Sequence, residues 1–520
     1  MNELDARTID ALGLAASTLM ESAAGACVQV ACAEFSAELE LGAVVVCGTG
    51  NNGGDGLAVA RRLAGIGVDV EVVLLGTKEK LGDAALKQWE LVRALGVVVR
   101  DAPSEEPLAF ATRSWRRKGL LVDAIFGTGL TRPVQKTQAA AISAIAAARS
   151  VGVAVLSVDL PSGIDATTGV VHGVAVRADR TVTFASPKLG HYLQPGRQYV
   201  GELTCADIGI PVRHWLDVTS TAAHLSDETD LIGAVPPSAQ DTHKGTFGHL
   251  LVVAGSEGKV GAARLCVDGA LRAGAGLVTL AVPEGLDVSG LVAEAMVERI
   301  PKESWKASTF LDLLESRDAL AIGPGLGLSP ENVFLCRQLF AEAPVPAVFD
   351  ADALGALVAA PPDQMNPADQ RVLTPHPGEF SRLMNSDWPN LAPRRVTAAR
   401  EIAARLTSTV VLKGASSLIV DPEGHVCVNS TGNPGMSTAG SGDVLTGVVG
   451  ALLGRGSSGP EAARAGAWWH GMAGDIAAAT LGEPSLVAGD IVDHLGHAWR
   501  EAMSGEKVSS LSYFPDLFGQ

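Results

Sequence analysis

The chain has 520 residues, of which 47% are hydrophobic and 4% aromatic, with 59 glycines and a net charge of −17. That length allows two to four domains with large cores, and an aromatic-poor, glycine-rich composition suits α/β domains with close helix–sheet packing. The acidic balance argues against a nucleic-acid partner, which calls for a basic face, but not against a nucleotide held by backbone N–H groups and helix N-termini.

The opening MNELDARTID is acidic and polar, unlike a secretory leader, and residues 5–36 carry helical spacing of apolar residues such as Leu12, Leu19 and Met20. A short β-branched run from Ala43 then ends in a predicted glycine-rich loop, NNGGDG, before a helical pattern resumes with LAVARRLAG. Strand-like runs follow at VDVEVVLL, GLLVDAIFG and VAVLSVDLP. The Ala-rich stretch Gln138–Val158 is broken by Arg149, Ser150 and Gly152, so it reads as a helix and a strand and not as a membrane span. Residues 179–210 read as the closing edge of a first domain. The following segment, through Pro236-Pro237, shows no sustained period and places a boundary near 215–225. A second α/β series opens at HLLVVAGSEGKVGAA and runs through ALAIGPGLG, AVFDADALG, RVLTPHPGEF, STVVLKGASSLIVD and GNPGMSTAGSGDVLTG. The expected organisation is thus two α/β domains, residues 1–218 and 222–520. The seven cysteines are scattered, with no CxxC pair or zinc-like spacing, and read as reduced, mostly buried thiols of a cytoplasmic protein.

In the first domain three loops follow predicted strands: NNGGDG, DAIFGTGLTRP (Asp123–Pro133) and VDLPSGIDATTG. In an open parallel sheet such loops converge on a ligand. Asn52, Asp123 and Ser162 are hard oxygen donors suited to a weakly held cation such as K⁺. Asp159, at a strand end, is the candidate for proton transfer. In the second domain Gly440, Ser441 and Gly442 are expected to form a backbone nest for an anion, with Asp443 beside it as the base that takes a hydroxyl proton. Lys413 is placed to reach nucleotide phosphates, with hydroxyls from Ser416 and Ser417. His376, between two prolines in TPHPGEF, is as consistent with a structural role as with ligand contact.

NNGGDG, VDAIFGTGLTR, SVDLPSGIDATTG and the opening LMESAAGA resemble the motifs of the NAD(P)H-hydrate epimerase family over residues 5–215. The resemblance implies a Rossmann-like three-layer domain. It also implies that Asn51, Asn52, Gly53, Gly54 and Asp55, with Gly127, Thr128, Gly129, Leu130, Thr131, Arg132 and Pro133, line the hydrate site. Asn52, Asp123 and Ser162 match K⁺ ligands, and Asp159 matches the acidic group at the reacting centre. AGSGDVLTG resembles the anion-hole motif of ribokinase-like kinases. Together with HKGTFGHLLVVAG, IGPGLG, TPHPGEF and LKGASS it resembles the NAD(P)H-hydrate dehydratase family over residues 225–500. That implies a ribokinase-like α/β domain, with Lys413, Gly414, Ala415, Ser416, Ser417 and Gly442 contacting ADP or ATP, accompanied by Mg²⁺. Ala262, Gly325, His376 and Asp443 would contact the hydrate. The loop KVGA departs from the more usual MPGA form at Lys259 and Val260.

The fused order resembles bacterial enzymes that repair hydrated NADH and NADPH, and the resemblance implies a homo-oligomer, while the acidic charge and the interrupted apolar stretches imply no nucleic-acid or membrane partner. The competing reading is a ribokinase-like small-molecule kinase fused to a non-catalytic binding domain.

Overall fold

The computed structural model describes residues 2–211, 223–237, 241–358 and 370–504, which form two compact units, one on each side of the 212–222 segment. The expected boundary at 215–225 therefore falls largely outside the described residues.

The first unit is built on seven strands: β1 (Ala43–Cys47), β2 (Val70–Leu74), β3 (Val98–Asp101), β4 (Leu120–Ala124), β5 (Ala154–Val158), β6 (Arg180–Phe184) and β7 (Glu202–Ala206). They lie in the order β3-β2-β1-β4-β5-β6-β7, with every pairing parallel. Both faces are covered, so β1 is apolar throughout. Ala43, Val45 and Cys47 enter one core with Leu19, Met20 and Leu57, while Val44 and Val46 enter the other with Ile142, Ile145 and Trp115. The direction in which successive strands are laid down reverses between β1 and β4, with β2 and β3 on one side and β5 to β7 on the other. Ligands bind at such a switch point, beyond the carboxyl ends of the strands.

NNGGDG is not a loop, because the helix Asn51–Gly65 begins at its first residue, after the short connection 48–50. A Cβ at Gly53 would stand 1.9 Å from the Gly48 carbonyl oxygen, so only glycine lets the first helical turn fold against the end of β1. These glycines are helix-packing residues, although their type resembles a turn.

The second unit contains β8 (Ala223–Leu225), β9 (His249–Val253), β10 (Leu277–Pro283), β11 (Met296–Ile300), β12 (Ala319–Ile322), β13 (Ala347–Phe349), β14 (Arg371–Leu373), β15 (Ser408–Leu412), β16 (Leu418–Val420) and β17 (Val426–Val428). Its order is β11-β10-β9-β12-β13-β14-β15-β16-β17-β8, parallel as far as β15 and then antiparallel across β16. The segment without a sustained period contributes β8 and the helix Glu228–Ala234, elements too short for a period to register. Helices Val260–Arg272, Ser441–Gly454, Gly459–Leu481 and Ala488–Ser504 pack in one core with Leu250, Val252, Val278 and Leu280 of the sheet. Among the described residues no helix is long and apolar enough to cross a membrane. All seven cysteines are free, and only Cys32 is exposed.

Candidate active sites

In the first unit a cavity of about 470 Å³ opens at the switch point. Gly48–Asn52 and Asp55 line it after β1, Ile125–Leu130 after β4, and Asp159 after β5. Leu19, Met20, Phe184 and Ile208 supply apolar wall. Gly53 and Gly54 are buried behind this lining, whereas Thr131, Arg132 and Pro133 are exposed and are not among the residues that form it.

Asp159 is held with positive φ (67°), a conformation uncommon for a residue with a side chain. Three partners hold it in place. Lys188 donates to its Oδ1 at 2.6 Å, Thr183 donates to the same oxygen at 3.1 Å, and His191 Nε2 lies 2.8 Å from its carbonyl oxygen. The Lys188 backbone N–H donates to His191 Nδ1 at 2.9 Å, so the ring proton sits on Nε2. Burial, then the neighbouring Lys188 ammonium, holds the His191 pKa down at about 3, so the ring is neutral. Burial alone would raise the Asp159 carboxyl. The Lys188 charge and hydrogen bond overcome that and bring it below the ordinary carboxylate value. The site therefore presents an ionised carboxylate paired with an ammonium.

Beside it lies a buried oxygen-rich set. Asp123 Oδ1 accepts from Ser162 Oγ at 2.5 Å, and Oδ2 accepts from the Ser162 N–H at 2.9 Å and Ser157 Oγ at 2.8 Å. Burial still outweighs these bonds and raises the Asp123 carboxyl above its usual value. The Asn52 amide is buried, and neither its Oδ1 nor its Nδ2 has a hydrogen-bond partner. A Cβ at Gly127 would stand 3.1 Å from Asp159 Oδ2 and 3.4 Å from Asn52 Oδ1, so these two groups flank one glycine-walled point. A buried carboxylate short of positive charge, with an unsatisfied amide oxygen nearby, suits a monovalent cation. Without His or Cys it does not suit zinc.

In the second unit the helix Ser441–Gly454 starts after Gly440, whose φ of +90° creates the left-handed step of an anion nest. Asp443 is in its first turn. The neutral ring of His470, buried and with its pKa lowered to about 4, anchors this start through Nε2 at 2.9 Å from the Ser441 carbonyl. Lys413 is not a free arm: its Nζ donates to Asp350 Oδ1 at 2.7 Å, while Thr446 donates to Oδ2 at 2.8 Å. The ammonium is nonetheless against the nest, since a Cβ at Gly442 would stand 3.0 Å from it. Gly414 and Ala415 are exposed in the β15–β16 hairpin, and Ser417 closes its turn by bonding to Gly414 N–H at 3.2 Å. Gly325 abuts Ala262, with a Cβ there 3.1 Å from the alanine methyl carbon, so these two expected contacts are brought together. His376 caps the helix Pro377–Met384, its Nδ1 accepting from Gly378 N–H at 3.0 Å.

Asp443 is the electrostatic opposite of Asp159. Burial, then the negative charge of Asp350, raises its pKa to about 7. Lys413 opposes the shift, whereas Asp352 and Glu379 add to it. A carboxyl poised near neutrality beside an anion nest is suited to general-base work.

Residues 16–190 match the family model of the YjeF-related protein N-terminus, and residues 250–495 match that of NAD(P)H-hydrate dehydratase. Curated relatives named bifunctional NAD(P)H-hydrate repair enzyme include one from Thermofilum pendens, 39% identical over 96% of this chain and 94% of the relative. Another, from Moorella thermoacetica, is 41% identical over 88% and 87%. The chain belongs to this family. A solved structure of the Bacillus subtilis ADP/ATP-dependent NAD(P)H-hydrate dehydratase, co-crystallised with ATP/Mg²⁺, is 30% identical over 54% of this chain and 99% of that one, with a TM-score of 0.49.

Within this repair-enzyme chain, the sequence reading singled out Asp159 and Asp443 but missed the groups that set their charge. Lys188, Thr183 and His191 stand in the edge-forming segment after β5, and Asp350 stands in FDADALG. A signal was present for each: a lone lysine in a serine–proline turn, and paired carboxylates at a strand end.

Proposed function

We propose that the two sites carry the two halves of NAD(P)H-hydrate repair, epimerisation in the first unit and nucleotide-dependent dehydration in the second. The carrying observation is the pair of opposite environments: Asp159 kept ionised by Lys188, and Asp443 poised near 7 beside a glycine nest.

The hydrate bears its hydroxyl on C6, next to the ring nitrogen. Asp159 takes the hydroxyl proton as the C6–N1 bond opens, and the electron pair delocalises through N1 into the carboxamide. Rotation and reclosure on the other face of the aldehyde, with the proton returned, gives the other epimer. Lys188 and Thr183 keep the carboxylate ionised and oriented. Asn51, Asn52, Asp55 and Gly127–Leu130 hold the nucleotide. K⁺ held by Asn52, Asp123 and Ser162 would supply positive charge to the buried carboxylate and brace the ends of three strands.

In the second unit Asp443 takes the C6 hydroxyl proton as that oxygen attacks the terminal phosphoryl group of ADP, and AMP leaves. With ATP, ADP leaves instead. The nest around Gly442 and the Lys413 ammonium receive the developing charge. Phosphate then departs from C6 with the bonding pair, pushed by the nitrogen lone pair, and loss of a C5 proton completes NAD(P)H. Glu379 and Asp352 are oxygen donors available to Mg²⁺ accompanying the nucleotide. Ala262, Gly325 and His376 form the hydrate wall, and Lys413–Ser417 the nucleotide wall. Only the S epimer is consumed, so the first site supplies it from the R epimer. The reading extends to a cytoplasmic location, supported by the unpaired cysteines, to the lack of a nucleic-acid partner, supported by the net charge of −17, and to a homo-oligomer, which rests on the family resemblance alone.

The test follows both epimers chromatographically and NADH by absorbance. Without nucleotide the epimers interconvert and no NADH forms. With ADP or ATP and Mg²⁺ both are cleared, with one phosphate released per NADH. Accumulation of a stable phosphoester would establish a kinase instead.

A further inference from the structure

Far along the second sheet from β9 and β12, its last edge gathers a different set of side chains. β8 pairs in parallel with β17, and the register sets His224 opposite Cys427. Asp230, in the helix Glu228–Ala234, reaches the same place: its Oδ2 lies 2.8 Å from His224 Nε2. One ligand atom from each of His224, Asp230 and Cys427 lies within 4.8 Å of the other two. The three line a cavity of about 160 Å³, together with Asp421, His425 and Arg464. Nothing in the repair chemistry uses these residues.

We propose that His224, Asp230 and Cys427 form a binding site for a zinc-like divalent ion. Imidazole nitrogen, thiolate sulfur and carboxylate oxygen are the donors this ion favours, and no alkaline-earth ion takes such a mixture. Ligand atoms around tetrahedral zinc stand roughly 3.3–3.8 Å apart, as bond lengths of about 2.0–2.3 Å require. The Cys427 sulfur therefore needs to approach the other two by no more than about 1–1.5 Å, while the 2.8 Å His224–Asp230 pair opens by about 0.5 Å, and His224, half-exposed at the rim, is able to supply that motion. Arg464 donates to Asp230 Oδ1 at 3.0 Å, which leaves Oδ2 as the ligand and fixes its direction. His425 and Asp421, paired at 2.8 Å, line the same cavity.

On binding, one N–metal, one O–metal and one S–metal bond form. The Cys427 thiol proton, and the ring proton that His224 shares with Asp230, pass to buffer, and no oxidation state changes. The ion would tie β8, the first strand of the second unit, to β17 and to the helix that follows β8.

The probe is Co²⁺ added to reduced, chelator-stripped full-length enzyme under anaerobic conditions. The expected result is one equivalent bound, with a thiolate-to-cobalt band in the near ultraviolet and tetrahedral bands in the visible, all displaced by Zn²⁺. Cys427→Ser abolishes the ultraviolet band. His224→Gln, at an exposed position that does not endanger folding, weakens binding at least tenfold. Cys32→Ser, at the exposed cysteine, changes neither. Absence of the band in the wild type, its persistence in Cys427→Ser, or its loss in Cys32→Ser overturns the assignment.

Discussion

The two catalytic candidates are both aspartates, one just after β5 and one in the first turn of the helix Ser441–Gly454, and both largely withdrawn from water. Burial pushes each carboxyl the same way, toward the neutral form. Their neighbours then separate them. In the first unit one ammonium, Lys188, bonds Asp159 directly at 2.6 Å, and the carboxyl ends below its ordinary value. In the second unit the corresponding ammonium, Lys413, is bonded to another carboxylate, Asp350, and Asp443 is left among negative charges near 7. Residue type and burial are shared. The partner of one lysine decides whether the resting acid is held below its ordinary pKa or left poised near neutrality.

The largest test of that contrast is Asp443→Asn. The amide keeps the shape and cannot take the proton, so dehydration falls by about 10²–10⁴ while epimerisation is unchanged. Steady-state NADH recovery from the pure S epimer measures the first, and chromatography of the epimers measures the second. Wild-type-like turnover would remove Asp443 from the mechanism. Next comes Lys188→Met, which keeps most of the side-chain volume and removes the charge. It moves the first site toward the second by removing the direct ammonium partner that Asp443 also lacks. Epimerisation falls by roughly 10², and the acid limb of its pH–rate profile moves upward, because burial of Asp159 is then opposed only by the smaller contributions of His191 and Thr183. A profile that keeps its acid limb in place would show that Lys188 does not set the Asp159 charge.

The parts of this architecture visible in sequence are those carried by consecutive residues. Runs such as AVVVC and HLLVV mark buried parallel strands, and AGSGDVLTG marks a nest and the helix after it, because each lies within one local element. NNGGDG misled as to secondary structure. Its glycines answer a tertiary demand, the 1.9 Å approach to Gly48, which glycine's turn preference masks. The pairings of Lys188 and Asp350, as distinct from the residues themselves, were out of reach for a related reason. Their partners, Asp159 and Lys413, lie 29 and 63 positions away, and only the crossover connections bring them together. Ion-pair choice is a property of topology and leaves no periodic trace.

A smaller effect is expected at the buried oxygen set. Asp123 and Asn52 have no equivalent in the second unit's nest, where positive charge comes from Lys413. Replacing K⁺ by a bulky organic cation should slow epimerisation on the order of tenfold, the scale on which second-shell changes alter metal-dependent activity. Dehydration of the pure S epimer should not respond, provided Mg²⁺ and nucleotide are held constant. Asp123→Ala should be slow in both buffers and lose the difference between them. Full activity of the variant in both would leave Asp123 as a structural residue of the strand end.

The smallest effect, in stability, has opposite signs in the two units. Asp159 has a folded-state pKa below its unfolded value. Its contribution is therefore present above the unfolded pKa and is lost as pH falls through the folded one. At pH 8 Asp159→Asn removes that contribution and also leaves Lys188, only 8% exposed, without its carboxylate. The first unit should melt lower. Asp443 has a folded-state pKa of about 7, above the ordinary value of 3.8. Its ionisation therefore disfavours the folded state increasingly between those two values, and fully above the higher one. At pH 8 Asp443→Asn relieves the whole penalty, and the second unit should melt a few degrees higher. At pH 5, where the folded group is still protonated, most of the gain disappears. Scanning calorimetry of both variants at the two pH values, without nucleotide, reads the comparison directly. A fall in melting temperature for both at pH 8 would mean that Asp443 is held ionised by contacts as favourable as those of Asp159, and the division between a fixed charge and a poised base would be lost.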